Sequence, residues 1–299
     1  MQLHGIIPAL ITPFGEDEEL DLDGVRRMLD YTIEAGVHAV FVSGSTGEAY
    51  AMSLDERIRL FECAVEHVGK RVPVGAGTGA NATRDVVRLS QAAEAAGCDY
   101  VSIITPCFIT PSAEEMYEHY AAAAESVKLP VLLYGNPART NNPLPTGLVA
   151  RLARDYPNIK GIKDSTGDLQ QFAGYVRECP EDFWTIMGRD SMVVAGLQYG
   201  GVGAICGTAN IVPDILVRMY EAFRSGDLAE ALRLQRMVIP LREAFALGSF
   251  PAMLKHAVKL LGLPSGVLRR PLRWLNSADE AKLAAILKAL GRQVQVGGA

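Results

Sequence analysis

The sequence has little positive charge to spare. Its 29 lysines and arginines are outnumbered by 34 aspartates and glutamates, giving a net charge of −5 with no basic cluster. That balance argues against nucleic acid and anionic membrane surfaces as partners. No apolar run is long enough to span a bilayer, and the opening MQLHGIIPALITPF lacks the basic n-region of a signal peptide. The five cysteines, Cys63, Cys98, Cys107, Cys179 and Cys206, are odd in number, scattered and free of any C-x-x-C. Reduced thiols in a cytoplasmic protein fit that pattern better than a disulfide framework does. His4, His38, His67, His119 and His256 lack ligand spacing, so no metal centre is expected. No G-x-G-x-x-G follows the first apolar segment, which speaks against an open dinucleotide-binding sheet.

What is present is an alternation. The 299 residues are 49% hydrophobic and 21% charged, ample for a large core. Short apolar, β-branched runs fall at residues 6–12, 38–43, 72–77, 100–105, 130–134, 159–163, 183–187 and 202–206. Stretches of helical length and period separate them, as in LDGVRRMLDYTIEAG, where Val25, Met28, Leu29, Thr32 and Ile33 form one stripe. Ser53 with Glu56, Ser112 with Glu115 and Ser277 with Glu280 fit capping boxes. Gly36, Gly69 and Gly97 sit where a glycine ends a helix. The pattern predicts an α/β fold, a (β/α)8 TIM barrel over residues 1–225. Residues 226–299 change character and read as a C-terminal helical region packed on the barrel.

In such a barrel the working groups follow the strands. NIKGIKDSTGDL, residues 158–169, puts Lys163 at the carboxyl end of an apolar strand. Alternation sends Ile159, Gly161 and Lys163 to one side, and Lys160 and Ile162 to the other. A lysine in an apolar pocket has its ammonium form disfavoured, and the neutral amine attacks carbonyls. Lys160 reads instead as reaching solvent. Gly44-Ser45-Thr46-Gly47-Glu48 follows the second strand, where two glycines allow a sharp turn that leaves hydroxyls and amides to face an anion. After the fifth strand, Tyr134 offers a phenol near the lysine and Arg139 a forked cation for a second carboxylate.

Each feature alone has a blander explanation: a solvent-reaching lysine, a turn serving its own backbone, a core ring with a wet hydroxyl. Together they are the parts that imine chemistry on a 2-keto acid requires. Glu48 and Asp164 read as solvated or turn-forming carboxylates, and Cys107 and Cys206 as small buried groups. Gly200, Gly201 and Gly207 do not make a phosphate site on their own, Arg189 being the one basic residue nearby.

The motifs G-S-T-G-E, Y-x-x-P-x-R-T, G-I-K-D-S-T-G-D-L and G-T-A-N-x-x-P, in this order over nearly all the chain, resemble those of the dihydrodipicolinate synthase and N-acetylneuraminate lyase family. The resemblance implies a (β/α)8 barrel with C-terminal helices, a pyruvate Schiff base on Lys163, no metal or organic cofactor, and a homotetramer. Carried over by motif, Tyr134 is the proton donor and acceptor and Ser45 the relay hydroxyl. Thr46 and the backbone around Ile205 hold the keto-acid carboxylate, Arg139 meets the carboxylate of the aldehyde, and Gly188 joins the substrate-binding set.

Within the family, Arg139 and Thr140 favour the synthase reaction, in which pyruvate condenses with an aldehyde such as aspartate semialdehyde. Ser45 and the D-S-T-G-D-L run look closer to the lyase. The runner-up reading is cleavage or dehydration of a 2-keto-3-deoxy sugar acid or 4-hydroxy-2-oxoglutarate, or sialate-lyase-like chemistry. A third, non-catalytic keto-acid-binding scaffold, is disfavoured by Lys163 together with Tyr134. Where the synthase typically has two tyrosines this chain has Cys107 and Phe108. Phe108, expected near a subunit interface, keeps the ring and loses the relay hydroxyl. Leu54, Arg57 and Cys107 stand where lysine-inhibited synthases commonly carry other groups, although Asn81 remains. Weak feedback inhibition by lysine is therefore expected.

Overall fold

Each apolar run forms a strand. In the computed structural model, which describes residues 2–295, these are β1 (Gly5–Pro8), β2 (Val40–Val42), β3 (Val74–Gly77), β4 (Tyr100–Ile104), β5 (Val131–Gly135), β6 (Ile159–Asp164), β7 (Trp184–Met187) and β8 (Gly203–Cys206). All pair in parallel, in the order β1-β8-β7-β6-β5-β4-β3-β2. The ends meet where His38 N donates to Ile6 O and Leu10 N to Phe41 O, each at 2.9 Å. The sheet thus closes into the expected (β/α)8 barrel.

Helices α1 (Leu22–Glu34), α2 (Leu54–Val68), α3 (Thr83–Ala96), α4 (Ala113–Glu125), α5 (Thr146–Asp155), α6 (Leu169–Glu178), α7 (Val193–Gln198) and α8 (Pro213–Arg224) surround it. Two of the expected capping boxes form, at Ser53 with Glu56 and at Ser112 with Glu115. The third does not. Asn276, one residue before Ser277, caps the last helix by accepting from Asp279 N at 2.9 Å. Asparagine serves that position as well as serine, and Glu280 is thereby free to bond His256 at 2.7 Å.

The barrel is filled in two layers. Ile7, Phe41, Tyr100, Leu132, Trp184, Ile186 and Ile205 pack inside, while a larger cluster joins the outer strand faces to the helices. Strand β6 departs from simple alternation. Its pairing with β5 sets Ile159 against Val131 but Gly161 against Leu132, so Lys160 is an extra residue. Ile159 consequently packs with Ile162 in the outer cluster, not on the side of Lys163. Gly161 keeps the inner side, because a Cβ there would lie 2.8 Å from Leu132 and 2.5 Å from the Trp184 carbonyl. Lys160 reaches the surface, where it pairs with the exposed Asp182 at 2.6 Å.

Beyond Asp227 come α9 (Leu228–Glu243), α10 (Ala252–Leu260) and α11 (Ser277–Ala289). Gln235 of α9 bonds both Val194 N at 3.1 Å and the Asp190 carbonyl at 2.9 Å. Those bonds fix the middle of α9 against the segment that follows β7. Among the described residues no single helix is long and apolar enough to cross a membrane.

Candidate active site

The parallel register of β5 and β6 sets Tyr134 beside Lys163, so both side chains take the inner face at the carboxyl rim. Lys163 is only 5% exposed, and its Nζ lies 4.1 Å from the Tyr134 ring centroid and 5.7 Å from that of Phe41. The Tyr134 oxygen accepts from Asn136 Nδ2 at 3.0 Å. Burial alone would push this phenol up, yet its net shift is downward. The positive charge of Lys163 and hydrogen bonding by Asn136, Ser165 and Lys163 favour the phenolate.

Asp164, Thr166 and Asp168 spend their polar groups on their own loop and the helix that follows, while Ser165 Oγ donates to the Gly188 carbonyl at 3.2 Å. The buried Asp164 carboxylate, pushed up by that burial, accepts from Thr166 N at 2.8 Å and Thr166 Oγ1 at 3.0 Å. Asp168 caps α6 through Gln170 N at 2.8 Å. Asp164 is therefore a turn former, and the D-S-T-G-D run is what holds the lysine's loop in place.

The turn after β2 is built differently from expectation. Its left-handed residues are Ser43 and Glu48, each with φ 57°, and not the two glycines. The glycines are needed for close approach: a Cβ on Gly44 would lie 2.5 Å from Phe41, and one on Gly47 2.8 Å from Thr12 Oγ1. The Gly47 amide bonds Gly44 O and the Glu48 amide Ser45 O. The amides of Ser45 and Thr46 take no protein acceptor among the described residues, which leaves them available to an anion. Glu48 is neither solvated nor spent on the turn. It is fully buried and pairs with Lys255 of α10 at 2.6 Å.

One cavity of about 320 Å³ gathers Ser45, Thr46, Tyr134, Arg139, Lys163, Gly188 and Ile205, every site residue singled out in the sequence. Gly188 allows β6 and β7 to converge there, since a Cβ would collide with Ser165 Oγ. Ile205 lines the cavity, and its side chain belongs to the cluster that fills the barrel. The wall also contains groups that no motif signalled: Asn136, Asp190, Arg242, Phe245 and Phe250. Arg189 lines it too, but donates to the carbonyls of Ser165 and Thr166, each at 3.1 Å. It braces the lysine's loop, so the glycines near β8 gain no phosphate-binding cation from it.

A model of the Dihydrodipicolinate synthetase family matches residues 2–290. The chain belongs to that family. It is 38% identical over 291 residues to the 4-hydroxy-tetrahydrodipicolinate synthase of Methanopyrus kandleri, covering 97% of each chain. With the enzyme of that name from Methanoculleus marisnigri the identity is 41% over 290 residues, covering 96% of this chain and 98% of the other. Among solved structures, dihydrodipicolinate synthase from Aquifex aeolicus superposes with a TM-score of 0.95 at 29% identity, covering 98% of this chain and 100% of that one. YagE, a prophage protein of the same family from E. coli K12 solved in complex with pyruvate, superposes with a TM-score of 0.94 at 33% identity and the same coverage.

This member of the family presents Cys107 and Phe108 on the surface. Cys107 is exposed, not buried, and bonds Asn81 Oδ1 through its amide at 2.9 Å. Phe108 is 99% exposed with φ 74°. Asn142 holds their loop by donating to Pro106 O at 2.8 Å and Ile109 O at 2.7 Å. Arg57 is buried, and burial pushes its guanidinium down to about 10. It donates to Ser43 Oγ at 3.0 Å, Gly79 O at 3.1 Å and Gly77 O at 2.6 Å. Among the described residues no three His, Cys, Asp or Glu side chains are grouped to hold a metal.

Proposed function

We propose that the protein is a Schiff-base-forming lyase of the 4-hydroxy-tetrahydrodipicolinate synthase type, joining pyruvate to an aldehyde that carries a carboxylate, aspartate semialdehyde first among them. The observation that carries this reading is a buried amine, 4.1 Å from a phenol ring, in a cavity shared with unpaired amides. Thr46, the amides of its turn and the backbone at Ile205 hold the keto-acid carboxylate. Lys163 Nζ adds to the keto carbon, a nitrogen proton passes to the oxygen, and water leaves as the imine forms. Tyr134 carries these protons, with Ser45 as relay. Loss of a methyl proton gives an enamine, its carbon attacks the aldehyde, and water returns the amine as product departs. The imine is the electron sink, so the chemistry calls for no metal or organic cofactor. Arg139 meets the aldehyde's carboxylate, and Gly188 leaves the room that a side chain would take.

The curated relatives named as this synthase and the pyruvate bound by the E. coli relative support the reading. Residues 1–225 act in it as the barrel, and 226–299 as a helical region that completes the cavity wall. The protein works in the cytoplasm, where its unpaired cysteines stay reduced, and assembles as a homotetramer with Phe108 at an interface. A second reading, cleavage or dehydration of a 2-keto-3-deoxy sugar acid or 4-hydroxy-2-oxoglutarate, is favoured by one feature: Phe108 has no hydroxyl to relay protons. Incubation with pyruvate and borohydride, followed by peptide mass spectrometry, tests the common step. A reduced adduct on Lys163 is expected, and its absence would refute both readings. Turnover of aspartate semialdehyde, compared with cleavage of a panel of keto-deoxy acids, then separates them.

A further inference from the structure

The turn that carries Ser45 and Thr46 is bracketed by two non-glycine residues in the left-handed region, Ser43 before it and Glu48 after it, each at φ 57°. For a residue with a Cβ that region is unfavourable, and it persists only where the surroundings over-determine it. Both side chains are buried, and each is held by a buried cation from another part of the chain. Arg57 of α2 donates from Nε to Ser43 Oγ at 3.0 Å. Lys255 of α10 sets its Nζ 2.6 Å from Glu48 Oε1, and the Arg269 amide donates to Glu48 Oε2 at 3.3 Å.

The two cations are themselves fixed. Arg57 donates to Gly77 O at 2.6 Å and Gly79 O at 3.1 Å, at the end of β3. Lys255 donates to Val267 O at 2.6 Å, with its Nζ 4.4 Å from the Phe14 ring centroid. Neither lines the cavity around Lys163, so any effect they have on a molecule bound there passes through the turn. Inside the bracket the amides of Gly47, Glu48 and Ala49 bond Gly44 O and Ser45 O. Those of Ser45 and Thr46 take no protein acceptor among the described residues. Ser43 stands two residues from Ser45, and Glu48 two from Thr46, so relaxation at either end would rotate a free amide.

We propose that Lys255 and Arg57 are positioning residues: acting through Glu48 and Ser43, they fix the Ser45 and Thr46 amides in the geometry that receives the keto-acid carboxylate. The proposal rests on the imine reading of Lys163 and on the carboxylate-holding role given above to this turn. It adds a clamp from outside the cavity, one jaw supplied by the C-terminal helices and the other by α2.

Pyruvate and pyruvamide, its neutral twin, test this by borohydride trapping on Lys163. One variant is Glu48→Gln/Lys255→Met, which removes the ion pair without stranding a buried charge. The other is Ser43→Ala, which removes the acceptor of Arg57 Nε at the opposite end. In each, half-saturation by pyruvate is expected to need about fivefold more ligand or greater, with the trapping rate at saturation kept, the mark of lost ground-state binding. Half-saturation by pyruvamide is expected to move by less than about twofold, since a neutral group gains less from the oriented amides. An unchanged pyruvate value in either folded variant overturns the role of the cation at that end. An equal rise for pyruvamide overturns the proposal as a whole, because it reports a cavity deformed for every ligand. Should the double variant not fold, Ser43→Ala decides alone. No pyruvate adduct in the unaltered protein overturns the imine and the clamp together.

Discussion

At the scale of single residues, the phenol of Tyr134 separates the covalent step from the proton transfers around it. Its oxygen accepts from Asn136, and its ring stands against Lys163. Replacing it with phenylalanine preserves the ring and removes the proton carrier. Tyr134→Phe is therefore expected to lower kcat by about a hundredfold or more and to slow the pyruvate adduct on Lys163 without abolishing it, a split visible in steady-state rates measured beside the time course of trapping. Lys163, Tyr134 and the Ser45–Thr46 turn were legible in the sequence because strand ends and turn residues carry their own local signals. Arg242 was not, since nothing near it in the chain marks it. It reaches the cavity only because Gln235 pins α9 to the loop after β7. The role of Glu48 was hidden for a related reason, its partner Lys255 lying far along the chain.

At the scale of elements, the turn after β2 is tied to the C-terminal helices by buried charge. Glu48 and Lys255 are both fully buried, Lys255 also donating to the Val267 carbonyl at 2.6 Å. Removing one partner leaves the other charged and unanswered in the core. Lys255→Met is expected to cost about 3–5 kcal/mol in denaturant unfolding, and the double variant Glu48→Gln/Lys255→Met to recover a large part of it. Nearby, Arg269 holds Glu56 of α2 down at about 2, chiefly by their hydrogen bond, against an ordinary value of 4.5. A carboxylate depressed on folding contributes stability that is complete above its unfolded value and lost as pH falls through its folded one. The stability gap between the unaltered protein and Arg269→Leu should thus be constant above pH 4.5 and narrow as pH falls from there towards 2, the bonds of Arg269 to the Glu18 and Ala51 carbonyls leaving a remainder that does not depend on pH. A gap independent of pH would show that Arg269 acts by packing on Phe14 instead. The eight strands were readable within a few residues of their ends because each is a compact apolar run. The shift in β6 was not, since a bulge depends on the neighbouring strand and leaves no mark in the alternation it interrupts.

At the scale of the whole molecule, the loop that carries Phe108 presents an aromatic ring with no cover. Asn142 and Asn81 clamp the residues on either side, so the ring's 99% exposure belongs to a fixed loop, and the backbone holds a non-glycine residue at φ 74° to present it. Half-exposed Ile109 stands beside it. A bulky ring held out in an unfavourable backbone region makes sense when a second copy of the chain receives it. Phe108→Glu is then expected to shift the proposed homotetramer to smaller species in size-exclusion chromatography with light scattering, leaving the helical content seen by circular dichroism unchanged. Arg57 lines a neighbouring cavity, which shares Ser45 and Tyr134 with the one around Lys163, and its donors are already bound to Ser43, Gly77 and Gly79. A free amino acid would have to compete with a buried cation there, so addition of lysine at millimolar concentration is expected to leave the rate of pyruvate condensation essentially unchanged. Strong inhibition would mean that lysine finds carboxylate and amine partners which Arg57 does not obstruct.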